Sequence, residues 1–152
     1  MEIERKWKLS QLPENLESAN QAEIKQGYLC IDNGELRLRN KNGRCFMTAK
    51  GDGSLCRDEW ETEIPEWVFL QLWPQCQDRV LEKTRYSLPY GDLTLEIDEY
   101  RGTLSGLVVL EVEFASEAEA EQFDVTAVAT SALDVTADKR YKNKSLAAKG
   151  LP

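Results

Sequence analysis

The 152-residue chain contains no histidine. That removes Ser–His and Cys–His nucleophile pairs and every histidine-ligated metal scheme, leaving carboxylate, lysine, tyrosine and cysteine as candidate chemistry. The four cysteines, Cys30, Cys45, Cys56 and Cys76, form no Cys-x-x-Cys pair, so neither a zinc site nor a thioredoxin-like motif is supported and they read as free thiols. No apolar run approaches the ~20 residues of a membrane span. The N-terminus opens with charge where a signal peptide needs a cleavable apolar stretch, so the chain is expected to be cytoplasmic, with no membrane partner. Positive charge is also in short supply: 19 Lys+Arg stand against 27 Asp+Glu, a net charge of -8, which disfavours generic nucleic-acid binding by a basic surface. Repeats, low-complexity tracts and long linkers are absent as well. With 41% hydrophobic residues, the length fits one domain spanning 1–152, a monomer or homodimer.

What is present is alternation. Short segments with a two-residue period are separated by turn-rich punctuation at Asp32-Asn33-Gly34, Asn42-Gly43, Gly51-Asp52-Gly53-Ser54, Pro89-Tyr90-Gly91 and Gly102 to Gly106, which reads as hairpin loops. Strands are expected near 2–8, 22–30, 35–40, 44–50, 57–64, 79–86, 93–100 and 107–114. Eight strands joined mainly by hairpins suggest an antiparallel barrel. Pro65 to Trp73 is apolar with proline at a first-turn position, and Ser116-Glu117-Ala118-Glu119 is a capping-box pattern opening a short helix. Thr136 is placed to cap a last helix through Ala148, ended by Gly150. Residues 124–134 carry the least pattern and read as a connecting arm. The class is therefore mainly β with flanking helices (α+β).

Residues two apart on a strand share a face, and here one face is repeatedly apolar while the other is repeatedly charged. Leu110-Glu111-Val112-Glu113-Phe114, Leu36-Arg37-Leu38-Arg39 and Leu95-Glu96-Ile97-Asp98 show it, as do Glu61 and Glu63 against Trp60, Thr62 and Ile64. Arg5 and Glu99 fall on the apolar side, and the alternation blurs around Lys83 and Arg85. An open sheet with its polar face in water gives the same pattern. Against that, the polar positions are dominated by full charges grouped by sign within each strand. If the charged face points inward instead, the lumen must be wet or hold ions and a charged ligand, because unpaired buried charge is prohibitive.

The chain begins Glu2-Ile3-Glu4-Arg5-Lys6, an E-x-E-x-K pattern. After it come Arg37 and Arg39, Lys50, Glu61 and Glu63, Lys83 and Arg85, Glu96 and Asp98, Glu111 and Glu113, and the closing Asp138-Lys139-Arg140-Tyr141-Lys142-Asn143. This order resembles the triphosphate tunnel metalloenzymes, or CYTH family, over essentially the whole chain, and is most similar to compact bacterial inorganic triphosphatases. The resemblance implies an eight-stranded antiparallel β-barrel forming a charged tunnel, a C-terminal helix beside it, and a triphosphate substrate bound with Mg²⁺ or Mn²⁺, two ions in all. Carboxylates at i and i+2 lie roughly 6.5 Å apart along a strand, close enough to share a cation or its waters. On the matched positions eight inward acids face six bases, Lys6, Arg37, Arg39, Lys50, Lys83 and Arg85, a sum of -2.

By the same resemblance Glu2, Glu4, Glu61, Glu63, Asp98, Glu111 and Glu113 are the expected metal ligands. Lys6, Arg37, Arg39, Lys50 and Arg85 are expected to hold phosphate, since arginine offers a planar fork and lysine a compact charge. With no histidine, the general base is to come from metal-bound hydroxide, a carboxylate, or Lys83 with its pKa lowered by neighbouring cations. Tyr28 is either the partner of Lys83 or a barrel-wall aromatic. Arg140 and Lys142 either reach over a tunnel mouth toward phosphate or lie on a solvated helix face. The expected activity is metal-dependent hydrolysis of tripolyphosphate to pyrophosphate and phosphate, because the short loops leave little protein for gripping a base or ring. Thiamine triphosphatase, nucleoside triphosphatase and adenylate cyclase activities, or a non-catalytic polyphosphate-binding module, are the alternatives.

Overall fold

Among the described residues, Asn42-Gly43 and Gly91-Asp92 make two-residue hairpin turns that set the register of the strands they join. Asn42 and Gly43 both take positive φ (52° and 89°), the conformation a two-residue hairpin requires, and they place Lys41 opposite Arg44. The computed structural model describes residues 3–51 and 59–152. Its strands are β1 (Ile3–Leu9), β2 (Asn20–Cys30), β3 (Gly34–Lys41), β4 (Arg44–Gly51), β5 (Glu59–Ile64), β6 (Val80–Tyr90), β7 (Leu93–Tyr100), β8 (Val108–Phe114) and β9 (Ala132–Asp134). All eight expected strands are present, and the Gly51–Ser54 turn falls largely outside the described residues. β6 runs on through Pro89, which the sequence reading gave to a loop. Past Ser87 the strand has lost its β2 neighbour and pairs only with β7, so the missing proline N–H falls on an open edge, where it is tolerated.

The expected antiparallel, mainly β fold is present, with one strand more than expected. The sheet has nine strands, in the order β5-β4-β3-β2-β6-β7-β8-β1-β9, because part of the expected connecting arm forms β9 against β1, with Trp7 opposite Asp134. Three residues are too few to show a period. Moreover, among the described residues no hydrogen-bonded ladder joins β5 to the other edge. The sheet nevertheless curls, since side chains from β1, β2, β3, β4, β6, β7 and β8 line one hollow.

Apolar side chains on the convex face lie under helices. Helix α1 (Glu66–Leu72) and the following 3₁₀ turn bury Phe69 and Cys76 against Leu38 and Cys45. Helix α2 (Glu117–Gln122) covers the group containing Trp7, Ile97, Leu110 and Phe114. Arg5 is no exception to the pattern once α2 is in place. Its guanidinium caps the end of that helix by donating to the Ala120 carbonyl at 2.7 Å, pairs with Asp134 at 3.1 Å and lies over the Trp7 ring, as suits a cation at a helix C-terminus. Thr84, on the same face of β6, is satisfied by Glu23 at 3.0 Å and by Arg101.

The capping box at Ser116 forms: Ser116 Oγ accepts from Glu119 N at 3.1 Å, and the Glu119 carboxylate accepts from Ala115 N at 3.3 Å. Ser116→Ala is therefore expected to lower stability by about 1 kcal/mol in urea denaturation, with the folded-state spectrum unchanged. The last helix is shorter than expected. Thr136 accepts instead from the backbone N–H of Lys6 at 3.0 Å, a 3₁₀ turn at Lys139–Tyr141 is capped by Asp138, and α3 (Asn143–Lys149) follows an extended Lys142 and ends at Gly150. Cys30, Cys45 and Cys76 are free thiols; Cys56 lies outside the described residues. No helix among the described residues is long and apolar enough to cross a membrane.

Candidate active site

The concave face is apolar at one end and charged at the other. At the apolar end Leu81, Tyr100 and Val109 meet Tyr141, Leu146 and Ala147, so the C-terminal segment closes the hollow like a plug. Beyond the plug lies a cavity of about 270 Å³. Its walls are segregated by sign: Arg37 and Arg39 on β3, Lys50 on β4 and Arg85 on β6 form a cationic side, while Glu96 on β7, Glu111 and Glu113 on β8 and Glu4 on β1 form an acidic side. Register explains the grouping, since Glu96 lies opposite Glu111, and Glu4 opposite Glu113, on adjacent strands. With Lys6, Glu35, Lys142 and Lys144 included, seven cations line the cavity against five carboxylates among the described residues. The described lining is net positive, whereas the expected set of eight acids and six bases, which includes the undescribed Glu2, sums to -2.

The sum changes because several expected site residues lie elsewhere. Asp98, expected among the metal ligands, is 2% exposed and spends both oxygens on cations. It receives Lys83 Nζ at 2.8 Å and Arg85 through Nε at 2.8 Å and a terminal nitrogen at 3.0 Å. Burial alone would raise this carboxyl, but Lys83 and Arg85 hold it well below the usual carboxylate range; Asp98 in turn, against the effect of burial, pushes the Arg85 guanidinium up. Glu63, also expected at metal, is taken up by Arg44 at 2.9 Å on an exposed rim. Glu61 is half-exposed and accepts from Thr48 at 3.0 Å, with Arg37 at 3.9 Å. Glu2 lies outside the described residues. Arg140 does not reach the cavity: its guanidinium folds back on Asp138 at 2.6 Å, whereas Lys142 does line it.

On the cationic side, Arg37 donates to Thr48 at 3.3 Å, yet its buried Nε has no hydrogen-bond partner among the described residues. Buried donors are almost always paired, so an unpaired guanidinium N–H on a side chain that lines the cavity points to an anionic ligand. Arg39 donates to Gln26 at 3.1 Å, and burial, with Arg37 and Arg85 nearby, lowers its pKa to about 10. That crowding of like charge is relieved by a bound anion. Lys6 donates to the Tyr141 carbonyl at 3.2 Å and lies 3.9 Å from Glu111; Lys50 lies 3.9 Å from Glu59.

Lys83 is wholly buried, and burial, against the pull of Asp98 and aided by Arg85 and Arg39, lowers its pKa to about 7. Its ammonium bonds Asp98 and, at 3.4 Å, Asn143, over the Tyr100 ring. The expected Tyr28 partnership is absent: Tyr28 lines the cavity, but its hydroxyl accepts from Gln26 at 3.0 Å, and burial and Glu35 raise its pKa to about 12. Glu35, Gln26 and Tyr100 carry no expected role in the sequence, and Asn143 stands there only as the end of the closing motif. Glu35 shares strand parity with Arg37 and Arg39 and was legible; the neutral residues had no pattern to mark them.

For a divalent cation, no cluster of three or more carboxylates or thiols is preassembled among the described residues. The donor set fits Mg²⁺ nonetheless, because that ion keeps several waters and needs only one or two carboxylates beside substrate phosphate. Glu4 and Glu111 share a hydrogen bond, the Glu4 carboxyl donating to the Glu111 carboxylate. Burial would raise the Glu111 pKa, but Glu4, Lys6 and Arg85 lower it below the usual range, so its charged form is available to a cation.

The structure is thus a curled antiparallel sheet around a plugged hollow lined by charges of both signs. The CYTH domain model matches residues 1–151, and the chain belongs to that family. An inorganic triphosphatase of Nitrosomonas europaea is 44% identical over 150 residues, 96% of each chain. Another, from Acetivibrio thermocellus, is 33% identical over 126 residues, 80% of this chain and 78% of that one. A solved crystal structure of an inorganic triphosphatase superimposes with a TM-score of 0.78 at 39% identity, covering 100% of this chain and 97% of the other.

Proposed function

We propose that this protein is an inorganic triphosphatase, hydrolysing tripolyphosphate to pyrophosphate and phosphate in the cavity with Mg²⁺ or Mn²⁺. The observation that carries the reading is the unpaired Nε of Arg37, buried in a cationic wall that faces an acidic one. Arg37, Arg39, Lys50, Arg85 and Lys6 would hold the phosphate chain, with the forked guanidinium groups fixing its oxygens. Glu4, Glu111 and Glu113, with Glu96 beside them, would hold metal. A bound divalent ion supplies charge neutralisation on the phosphates and acidifies water. Lys83, half neutral near its pKa of about 7, is the proton acceptor in this reading, set just beneath the lining.

A compact inorganic chain is favoured over a nucleotide or thiamine triphosphate because Tyr28 is the one aromatic among the described lining residues, and ring recognition relies on aromatic platforms. The reading puts the protein in the cytoplasm, where Cys30, Cys45 and Cys76 would stay reduced. The test is phosphate release from tripolyphosphate, ATP and thiamine triphosphate with Mg²⁺ or Mn²⁺, together with assay of cyclic AMP. Tripolyphosphate is expected to be the preferred substrate, with EDTA abolishing turnover. Tight polyphosphate binding with no turnover of any substrate would make the protein a binding module instead. Glu4→Gln is expected to raise the metal concentration for half-maximal rate by about 10-fold or more; an unchanged metal dependence would remove Glu4 from the metal site.

A further inference from the structure

Lys83 has two polar partners, Asp98 and Asn143, and of these Asn143 is the one that also lines the cavity. Its side-chain carbonyl accepts twice, from Lys83 Nζ at 3.4 Å and from the Tyr100 hydroxyl at 2.5 Å, which fills both lone pairs of an amide oxygen. Asp98 offers Lys83 no second site, because its oxygens are shared with Arg85. Asn143 is also the first residue of α3, and that helix is fixed by Leu146 and Ala147 in the apolar plug. The buried amine, the cavity and the plug thus meet at one neutral side chain.

Resting on the triphosphatase reading, we propose that Asn143 is a positioning residue, whose side-chain carbonyl holds the Lys83 amine at the cavity floor and makes the docking of α3 a condition for turnover. It makes no bond to substrate in this role. Its effect is on where Lys83 stands when the reacting phosphate is bound.

The test uses the full chain with Mg²⁺ and tripolyphosphate, comparing wild type with Asn143→Leu, which keeps the shape and loses the acceptor, and Asn143→Asp, which keeps an acceptor for both donors. Asn143→Leu is expected to lower kcat by about 10-fold to 100-fold with KM within about 2-fold, as misplacement of a reacting group does. Compared on the high-pH plateau of each pH profile, Asn143→Asp is expected to retain kcat within about 3-fold, with its inflection moved to higher pH because a carboxylate beside Lys83 favours the ammonium. If Asn143→Leu does not fold, as judged by its circular-dichroism melt, Asn143→Ala is measured in its place with the same expectation. An unchanged kcat in the leucine or alanine variant, equal losses in the leucine and aspartate variants, or a rise confined to KM would each overturn the proposal. Absence of wild-type turnover would overturn the triphosphatase reading and this proposal with it; wild-type turnover with an unaffected leucine variant would overturn this proposal alone.

Discussion

Asp98→Asn is expected to destabilise the protein by about 3–5 kcal/mol, the cost of removing one member of a buried charge network. Three charge-assisted hydrogen bonds end on this carboxylate, whose side chain is 3% exposed. An amide of the same shape turns an NH₂ toward one of the two cations and leaves both without this counter-charge. Glu96, 2.9 Å from Arg85 but a third exposed, compensates only part of the loss. Urea denaturation of wild type, Asp98→Asn, Lys83→Met and the double variant measures the effect. The double variant should be less destabilised than the sum of the singles, because removing Lys83 removes a charge that Asp98 neutralises. A loss below about 1 kcal/mol in Asp98→Asn would mean that the network is not held by charge. In wild type, the depressed Asp98 carboxyl contributes stability that is fully present above the ordinary aspartate value of about 3.9 and is lost as pH falls through its folded value.

Lys83→Met is expected to act on rate instead. Loss of a general base costs about 10²- to 10⁴-fold in kcat, with KM little changed because Lys83 does not line the cavity. Stability should hold, since Asp98 keeps its two-pronged bond with Arg85. The working form of the amine is the neutral one. Wild-type kcat should therefore fall as pH drops through about 7, and the residual rate of Lys83→Met should lack that inflection. A variant whose KM rises while kcat stays constant would make Lys83 a phosphate holder.

Much of this site was legible in strand parity. Arg37 with Arg39, and Glu111 with Glu113, share faces by the two-residue period alone, and the curl that turns them inward follows from the apolar partners that α1 and α2 must cover on the other face. Depth along the hollow was not legible. Asp98 and Glu96 have the same parity, yet one is buried between two cations and the other lines the open cavity, a difference set by the plug that α3 makes across the sheet. Local pairing also hid outcomes: Arg140 is claimed by Asp138 two residues away, and Glu63 by Arg44 on the neighbouring strand. Asn143 stood in the closing Asp138-to-Asn143 motif without a role, because a neutral amide becomes informative only when Lys83 and Tyr100, far off in sequence, converge on it.

Diffraction from crystals grown with tripolyphosphate and Mn²⁺, recorded at the manganese absorption edge, tests the central claim most directly. The account predicts a phosphate chain along Arg37, Arg39, Lys50 and Arg85, one of its oxygens receiving the Arg37 Nε–H, with anomalous peaks on the side of Glu4, Glu111 and Glu113. A phosphate chain bound on the convex face, or a cavity holding neither phosphate nor manganese at saturating concentrations of both, would contradict it.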